Sequence, residues 1–441
     1  MLTTPENIRT LQRKLYLKAK QEKSYRFYAL YDKIYRQDIL NHAYKLVRSN
    51  KGSPGIDGRT FDAIENEEGV AVFLAELEEA LRNKTYKPEP VRRVMIPKAN
   101  GGKRPLGIPT IRDRVAQMAV KLVIEPIFEA DFCDNSYGFR PKKSAHDALD
   151  DVSKFMGYGY TQVIDADISK YFDTIPNTNL LATVAERISD GQILHIIKMW
   201  LKAPVIETDE DGTKRNIESG NKGTPQGGVI SPLLANIYLH LLDRIWERNN
   251  LEKKLGAHIV RYADDVVILC RYGTEKPMEM FRKILGKLEL TLNESKTRTV
   301  GTYSDSFDFL GFTIQMMKSR RTGASFPHLQ PSKKSLQSIK DRVTELTGRK
   351  RTALPFALIV EEVNSTVRGW TGYFHYRNCS QTLSKLKEHV EMRMKIHLGN
   401  RHKTRGLISS LFRVKTKDLY ATFGLYKTPT TAGWTQAHAL G

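Results

Sequence analysis

The chain has 441 residues, 40% hydrophobic and 27% charged, which suits a globular protein of two or three domains. Its 70 Lys and Arg against 49 Asp and Glu give a formal charge of +21, which calls for a polyanionic partner, most directly nucleic acid. Three scattered cysteines without a CxxC pair argue against structural zinc or a disulfide framework and for the cytosol. With no apolar leader and no run of 18 apolar residues, neither secretion nor membrane insertion is expected.

The first fifty residues read as basic helices, with Leu11, Leu15, Tyr16, Ala19 and then Phe27, Leu30, Tyr31, Ile34 near helical spacing. Lys51 to Gly58 interrupts them with turn chemistry. A short helix is expected over Phe73–Leu81 and a strand over Val91–Pro97. Lys98 to Lys103 then makes a basic turn, and Arg104–Pro109 is the return arm. Helical spacing resumes from Arg112 to Phe128, and Val163–Ile168 is a strand with acids near its end. Asn179–Leu201 reads as helix and Pro204–Ile217 as a polar hairpin. The glycine-rich turn Gly223–Gly228 feeds an apolar helix from Pro232 to about Ile245. Strand-length flanks, His258–Tyr262 and Val266–Cys270, enclose a hairpin with Asp264 and Asp265 at its tip. A helix near Met278–Leu288 and strands near Phe307–Ile314 close this α+β block. From Pro331 onward, 20 Lys and Arg face 7 Asp and Glu in a strongly helical pattern, which reads as a separate basic domain.

Adjacent carboxylates such as Asp264 and Asp265 either form a solvated turn or hold a hard divalent cation between them. Two-metal phosphoryl transfer needs carboxylates converging from separate elements, and Asp167, at a strand end about a hundred residues earlier, offers the third. Lys98, Lys103 and Arg104 supply cations for a triphosphate.

The resemblance lies in an ordered series of motifs. Tyr262-Ala263-Asp264-Asp265 resembles the YxDD box of reverse transcriptases, and Asp165 to Asp173 resembles their first catalytic aspartate motif. Gly223-Thr224-Pro225-Gln226-Gly227-Gly228 with the run to Asn236 is similar to the PQG block of group II intron reverse transcriptase/maturases. Gly52–Gly58, Ile96–Lys98 with Arg104–Pro109, Tyr137–Pro141, Leu292–Thr297, Phe309–Phe312 and Arg368–Phe374 follow the order of the same family.

This resemblance implies a right-hand polymerase: an N-terminal extension over 1–60, fingers and a palm with an antiparallel sheet over 61–325, and an all-helical thumb or maturase X domain over 326–441. It implies two Mg²⁺ ions, with Mn²⁺ as a substitute, on Asp167, Asp264, Asp265 and the Ile168 carbonyl. Lys98 and Arg104 would grip the dNTP, and Gln226 would lie against the templating pair. Phe172 would exclude a 2′-hydroxyl, Lys296 would sit near the phosphates, and Leu310 and Gly311 would position the primer. The residues alone leave duller readings open: Phe172 as core, Lys296 as a solvated turn lysine, Gln226 bonded to its own loop. The implied partners are intron RNA, an RNA template with its DNA primer, and target DNA. The cysteine pairs of an endonuclease domain do not occur, so target cleavage is not expected. A host-defence reverse transcriptase and a non-catalytic splicing factor are the rival functions.

Overall fold

The computed structural model describes residues 2–97, 102–208, 214–217, 220–224, 227–402 and 415–434. The chain divides into two compact units, one of Met1–Ala148 with Ile164–Arg298, the other of Leu149–Val163 with Thr299–Gly441. Compactness thus divides the chain well before Pro331, where the composition shifts. Among the described residues no helix is long and apolar enough to cross a membrane.

Numbering only helices of nine residues or more, the first unit begins with α1 (Glu6–Gln21), α2 (Gln37–Ser49) and α3 (Val70–Arg82). α1 and α2 pack on α4 (Ile111–Glu129), which is apolar on nearly every side and correspondingly buried, and α3 packs on α2. Its start is fixed by Thr110, whose hydroxyl accepts from the Asp113 amide at 3.1 Å and donates to the Asp113 carboxylate at 2.8 Å. The strands β1 (Val91–Pro97) and β2 (Lys103–Ile108) form the expected hairpin, Ile96 opposite Arg104 and Pro97 opposite Lys103. β4 (Val205–Thr208) and β5 (Lys214–Ile217) extend that sheet in the order β2-β1-β4-β5.

A second sheet has the order β6-β7-β3, built from β3 (Gln162–Asp167), β6 (Ala257–Tyr262) and β7 (Asp265–Cys270); β8 (Arg298–Gly301) follows in the chain at the boundary of the two units. Against these strands lies the core of the unit. That core includes α8 (Ser231–Arg248), which carries Leu233, Leu234, Ile237, Tyr238 and Leu242, and α9 (Glu275–Lys287), which carries Phe281 and Ile284. The helix expected over Asn179–Leu201 is two: α6 (Asn177–Ala185) and α7 (Gly191–Leu201). Asp190 ends the continuity. Its carboxylate caps α7 at Gln192 and Ile193 and also accepts from the amides of Leu30 and Tyr31 at 2.8 Å.

The second unit holds most of α5 (Ala145–Gly157) and the sheet β11-β10-β9, made of β9 (Phe307–Phe309), β10 (Phe312–Lys318) and β11 (Ser325–Pro331). Neither α5 nor β11 was expected. Pro327 and Pro331 hide β11 in the sequence, because proline suits only an edge strand, and β11 is one. The helices α10 (Lys333–Leu346), α11 (Phe356–Phe374) and α12 (Ser380–Arg401) share a separate core around Val343, Ile359, Val363, Leu386 and Met394. The expected Leu310-Gly311 pair forms the β9–β10 turn with φ of +50° and +82°, the positive pair that a two-residue hairpin turn needs. The Leu310 carbonyl accepts from the Tyr373 hydroxyl at 2.9 Å, and that of Gly311 from the Ser335 hydroxyl at 3.0 Å.

Candidate active site

β3 delivers Asp167 at its C-terminal end. The Asp167 carbonyl accepts from the Asn293 amide at 2.8 Å, and the Ser169 amide donates to Thr291 at 2.8 Å, on either side of an antiparallel bridge between Ile168 and Leu292. In such a pairing the bridged residues turn their own amide and carbonyl to the opposite side, so the Ile168 carbonyl faces away from Leu292. The Asp167 carboxylate accepts from Asn293 Nδ2 at 2.7 Å and lies 3.0 Å from Lys296 Nζ. Lys296 is therefore paired with Asp167, although its side chain is 65% exposed. Asn293 lies in the Leu292–Thr297 motif, which gave it no role of its own; its bond to Asp167 does.

β6 and β7 deliver the other two acids, with one correction to the expected hairpin. Tyr262 pairs with Asp265, so Asp265 is the first residue of β7 and the two-residue turn is Ala263-Asp264. Ala263 has a φ of +57°, a conformation normally left to glycine at the first position of such a turn.

Burial first, then repulsion from Asp167, pushes the Asp264 carboxyl up, while Arg104 and Arg261 pull it down. Arg104, on β2, thus acts on the site as a cation. The protein surrounding Asp265, then Asp264, Asp167 and Asp165, push its carboxyl up to about 6, with Lys296 opposing. Although Asp265 is solvent-exposed as a residue, the protein packed around its carboxyl is the larger cause, and the repulsion among the four acids adds to it. Asp165 itself is held by Arg298 at 3.2 Å.

This repulsion has a stability consequence. A folded value of about 6 against the ordinary 3.8 means that the folded chain binds the extra proton between those pH values. Stability falls as pH rises through that window, and the penalty persists above it. Asp265→Asn in EDTA is expected to raise Tm by roughly 1–3 °C at about pH 7.5 and to leave it nearly unchanged at about pH 4. Melting curves across pH check this; an equal shift at both ends contradicts it.

Phe172 sits in a short helical turn, Tyr171–Thr174, and is 9% exposed. Its carbonyl accepts from the Thr224 amide at 2.7 Å, which joins it to the start of the glycine-rich block. Gly227, at φ +114°, abuts β2 so closely that a Cβ there would lie 2.2 Å from the Gly107 carbonyl oxygen. Glycine is required at that approach. The block therefore links the Phe172 turn to the β1–β2 hairpin. Lys98 and Gln226 lie outside the described residues, as does most of the basic turn after Pro97. Leu310 and Gly311 belong to the second unit.

Asp167, Asp264 and Asp265 offer hard oxygen donors on neighbouring strands, and their mutual repulsion is what a divalent cation would relieve. Among the described residues no three acid, histidine or cysteine side chains are gathered so as to hold an ion by themselves.

Comparison with known proteins defines the class. Residues 96–314 match the family model for reverse transcriptase (RNA-dependent DNA polymerase), and residues 336–417 match that for the group II intron maturase-specific domain. The chain belongs to the group II intron family of reverse transcriptases, right-hand polymerases carrying a maturase domain. Protein YkfC of Escherichia coli is 36% identical over 351 residues, covering 71% of this chain and 90% of that protein. The group II intron-encoded protein LtrA of Lactococcus lactis is 30% identical over 397 residues, 74% of this chain and 64% of LtrA. A 91 kDa protein of the cob intron in Schizosaccharomyces pombe is 27% identical over 437 residues, with 81% of this chain and 52% of that protein covered. This chain thus spans less than two thirds of the latter two. Among solved structures, a Candida albicans telomerase chain matches 80% of this chain with a TM-score of 0.42 and 12% identity. The chain is an RNA-directed DNA polymerase, its partners are RNA and RNA/DNA substrates, and polymerases of this family use divalent metal ions.

Proposed function

We propose that the chain copies RNA into DNA for a group II intron, extending a DNA primer with dNTPs, and binds the same intron RNA to assist its splicing and its insertion into target DNA. The setting is the cytosol. The observation that carries the catalytic part is Asp167 at the end of β3 beside the β6–β7 turn of Asp264 and Asp265, with the latter two carboxyls pushed up by burial and by the neighbouring acids.

Mg²⁺ is the cofactor, as two ions replaceable by Mn²⁺. When bound, the ions supply activation of the primer hydroxyl and charge relief on the leaving pyrophosphate. Asp167, Asp264, Asp265 and the Ile168 carbonyl hold them. Arg104, with Lys98, neutralises the triphosphate. Lys296, 3.0 Å from Asp167, gives a proton to the pyrophosphate. Gln226 lies against the templating pair, and Leu310 and Gly311 hold the primer end.

Phe172 excludes the 2′-hydroxyl by bulk. Phe172→Ala is expected to move the dNTP-over-rNTP preference toward rNTPs by on the order of tenfold or more, because a steric barrier is removed without a new attraction. Side-by-side single-nucleotide incorporation checks this, and an unchanged preference returns Phe172 to the core.

The intron role is tested with intron RNA transcribed from the DNA that flanks the gene. At low Mg²⁺ the protein is expected to accelerate splicing of that RNA. If splicing is unaffected while primer extension proceeds, the polymerase reading stands and the maturase reading falls.

A further inference from the structure

The largest side chain with essentially no solvent exposure in the first unit is a charged one, Arg261, the residue just before Tyr262 of the catalytic hairpin. Its Nε donates to both carboxylate oxygens of Asp243 at 3.1 and 3.2 Å, and Nη2 donates to Oδ2 of the same group. Nη1 donates to Asn236 Oδ1 at 3.1 Å and to the carbonyl of Ala263 at 3.0 Å. Asp243 and Asn236 are both buried and stand seven residues apart on one face of α8. Asn236 reaches further, donating to the Gly138 carbonyl at 2.7 Å. A Cβ on Gly138 would lie 2.3 Å from the Ala263 amide nitrogen, so the Gly138 backbone presses directly on the turn.

These contacts meet at the one residue of the catalytic turn with unfavourable backbone geometry. A left-handed alanine persists only where its surroundings hold it. Here the carbonyl of Ala263 is held by Arg261 and its amide side is backed by Gly138. Whichever way Ala263 rotates, Asp264 and Asp265 re-aim with it.

We infer that Arg261, Asp243 and Asn236 are positioning residues for the catalytic acids: the buried pair between α8 and β6 locks the left-handed Ala263 turn and thereby sets the direction of Asp264 and Asp265. The inference rests on the assignment of those two acids to the reaction, and the tests below separate the two claims.

Arg261→Lys keeps the buried charge opposite Asp243 but loses the fork that also reaches Asn236 and Ala263. In the full-length protein, template–primer affinity should stay within about threefold, because the guanidinium is buried away from any nucleic acid. The kcat for RNA-templated extension should fall by roughly 10- to 100-fold with little change in KM for dNTP, the scale seen when aiming is lost. Mn²⁺ binding, followed by electron paramagnetic resonance without nucleotide, should weaken by about tenfold, a readout independent of turnover. Adding Ala263→Gly, which takes a positive φ without a clamp, should recover part of the lost kcat. Should Arg261→Lys fail to fold, Asn236→Ala leaves the ion pair intact and should still lower both kcat and Mn²⁺ affinity. The inference is overturned if a folded variant keeps kcat and Mn²⁺ affinity within about twofold of wild type, or if it loses template affinity as steeply as kcat. If wild type itself bound no Mn²⁺ and extended no primer, the catalytic assignment would fail before this one is reached.

Discussion

Asp264→Ala is expected to lower RNA-templated primer extension by at least about 10³-fold while leaving RNA affinity within about twofold. The two quantities separate because they draw on different groups. On the proposed mechanism the carboxylate at 264, whose charged neighbours include Asp167, Asp265 and Arg104, acts where charge develops in the transition state. Affinity for a polyanion comes from the Lys and Arg excess that gives the chain its +21. Removing one acid slightly favours RNA binding, if anything. Single-turnover extension beside a binding titration measures both. A variant retaining a tenth or more of wild-type extension would remove Asp264 from the site.

The second large effect belongs to the other unit. Lys333, Lys334, Arg349 and Lys350 are exposed on the second unit, which carries the maturase-specific match. Changing all four to Ala is expected to weaken RNA binding by on the order of tenfold or more. It should also flatten the salt dependence, by roughly 0.7 to 0.9 in log K per log salt for each phosphate no longer neutralised, up to about 3.6 in total. The Val343–Leu386 core beneath them is untouched, so melting should change little. Affinity measured across a salt series decides; an unchanged slope would make these four a solvated face without a role.

Much of this architecture could be read from the residues. The β1 strand over Val91–Pro97, the α4 helix and the β6–β7 hairpin follow from periodicity and turn chemistry alone. Asp167 could be chosen because it ends a strand, and Asp264 and Asp265 because they lie between two strand-like flanks. What escaped reading depends on partners distant in sequence. Asp190 looked like one polar residue in a helical stretch, and only the amides of Leu30 and Tyr31, 160 residues away, make it a cap. The turn residues were displaced by one, because alanine gives no sign of a positive φ whereas Asp-Asp does resemble a turn. Arg261 was legible only as part of the strand flank His258–Tyr262; its partner Asp243 is 18 residues away on a helix whose inner face reads as apolar. Asn293 is bonded to an acid 126 residues earlier.

The central claim is that this chain synthesises DNA on an RNA template using the acids of β3 and the β6–β7 hairpin. The most direct measurement is extension of a labelled DNA primer on an RNA template with dNTPs and Mg²⁺. Wild type is compared with the Asp264→Ala, Asp265→Ala double variant at template–primer concentrations that saturate both. The account predicts full-length DNA from wild type and none above background from the variant, with both proteins bound to the duplex. A wild-type protein that binds the duplex and extends nothing, or a variant that extends it as wild type does, would contradict it.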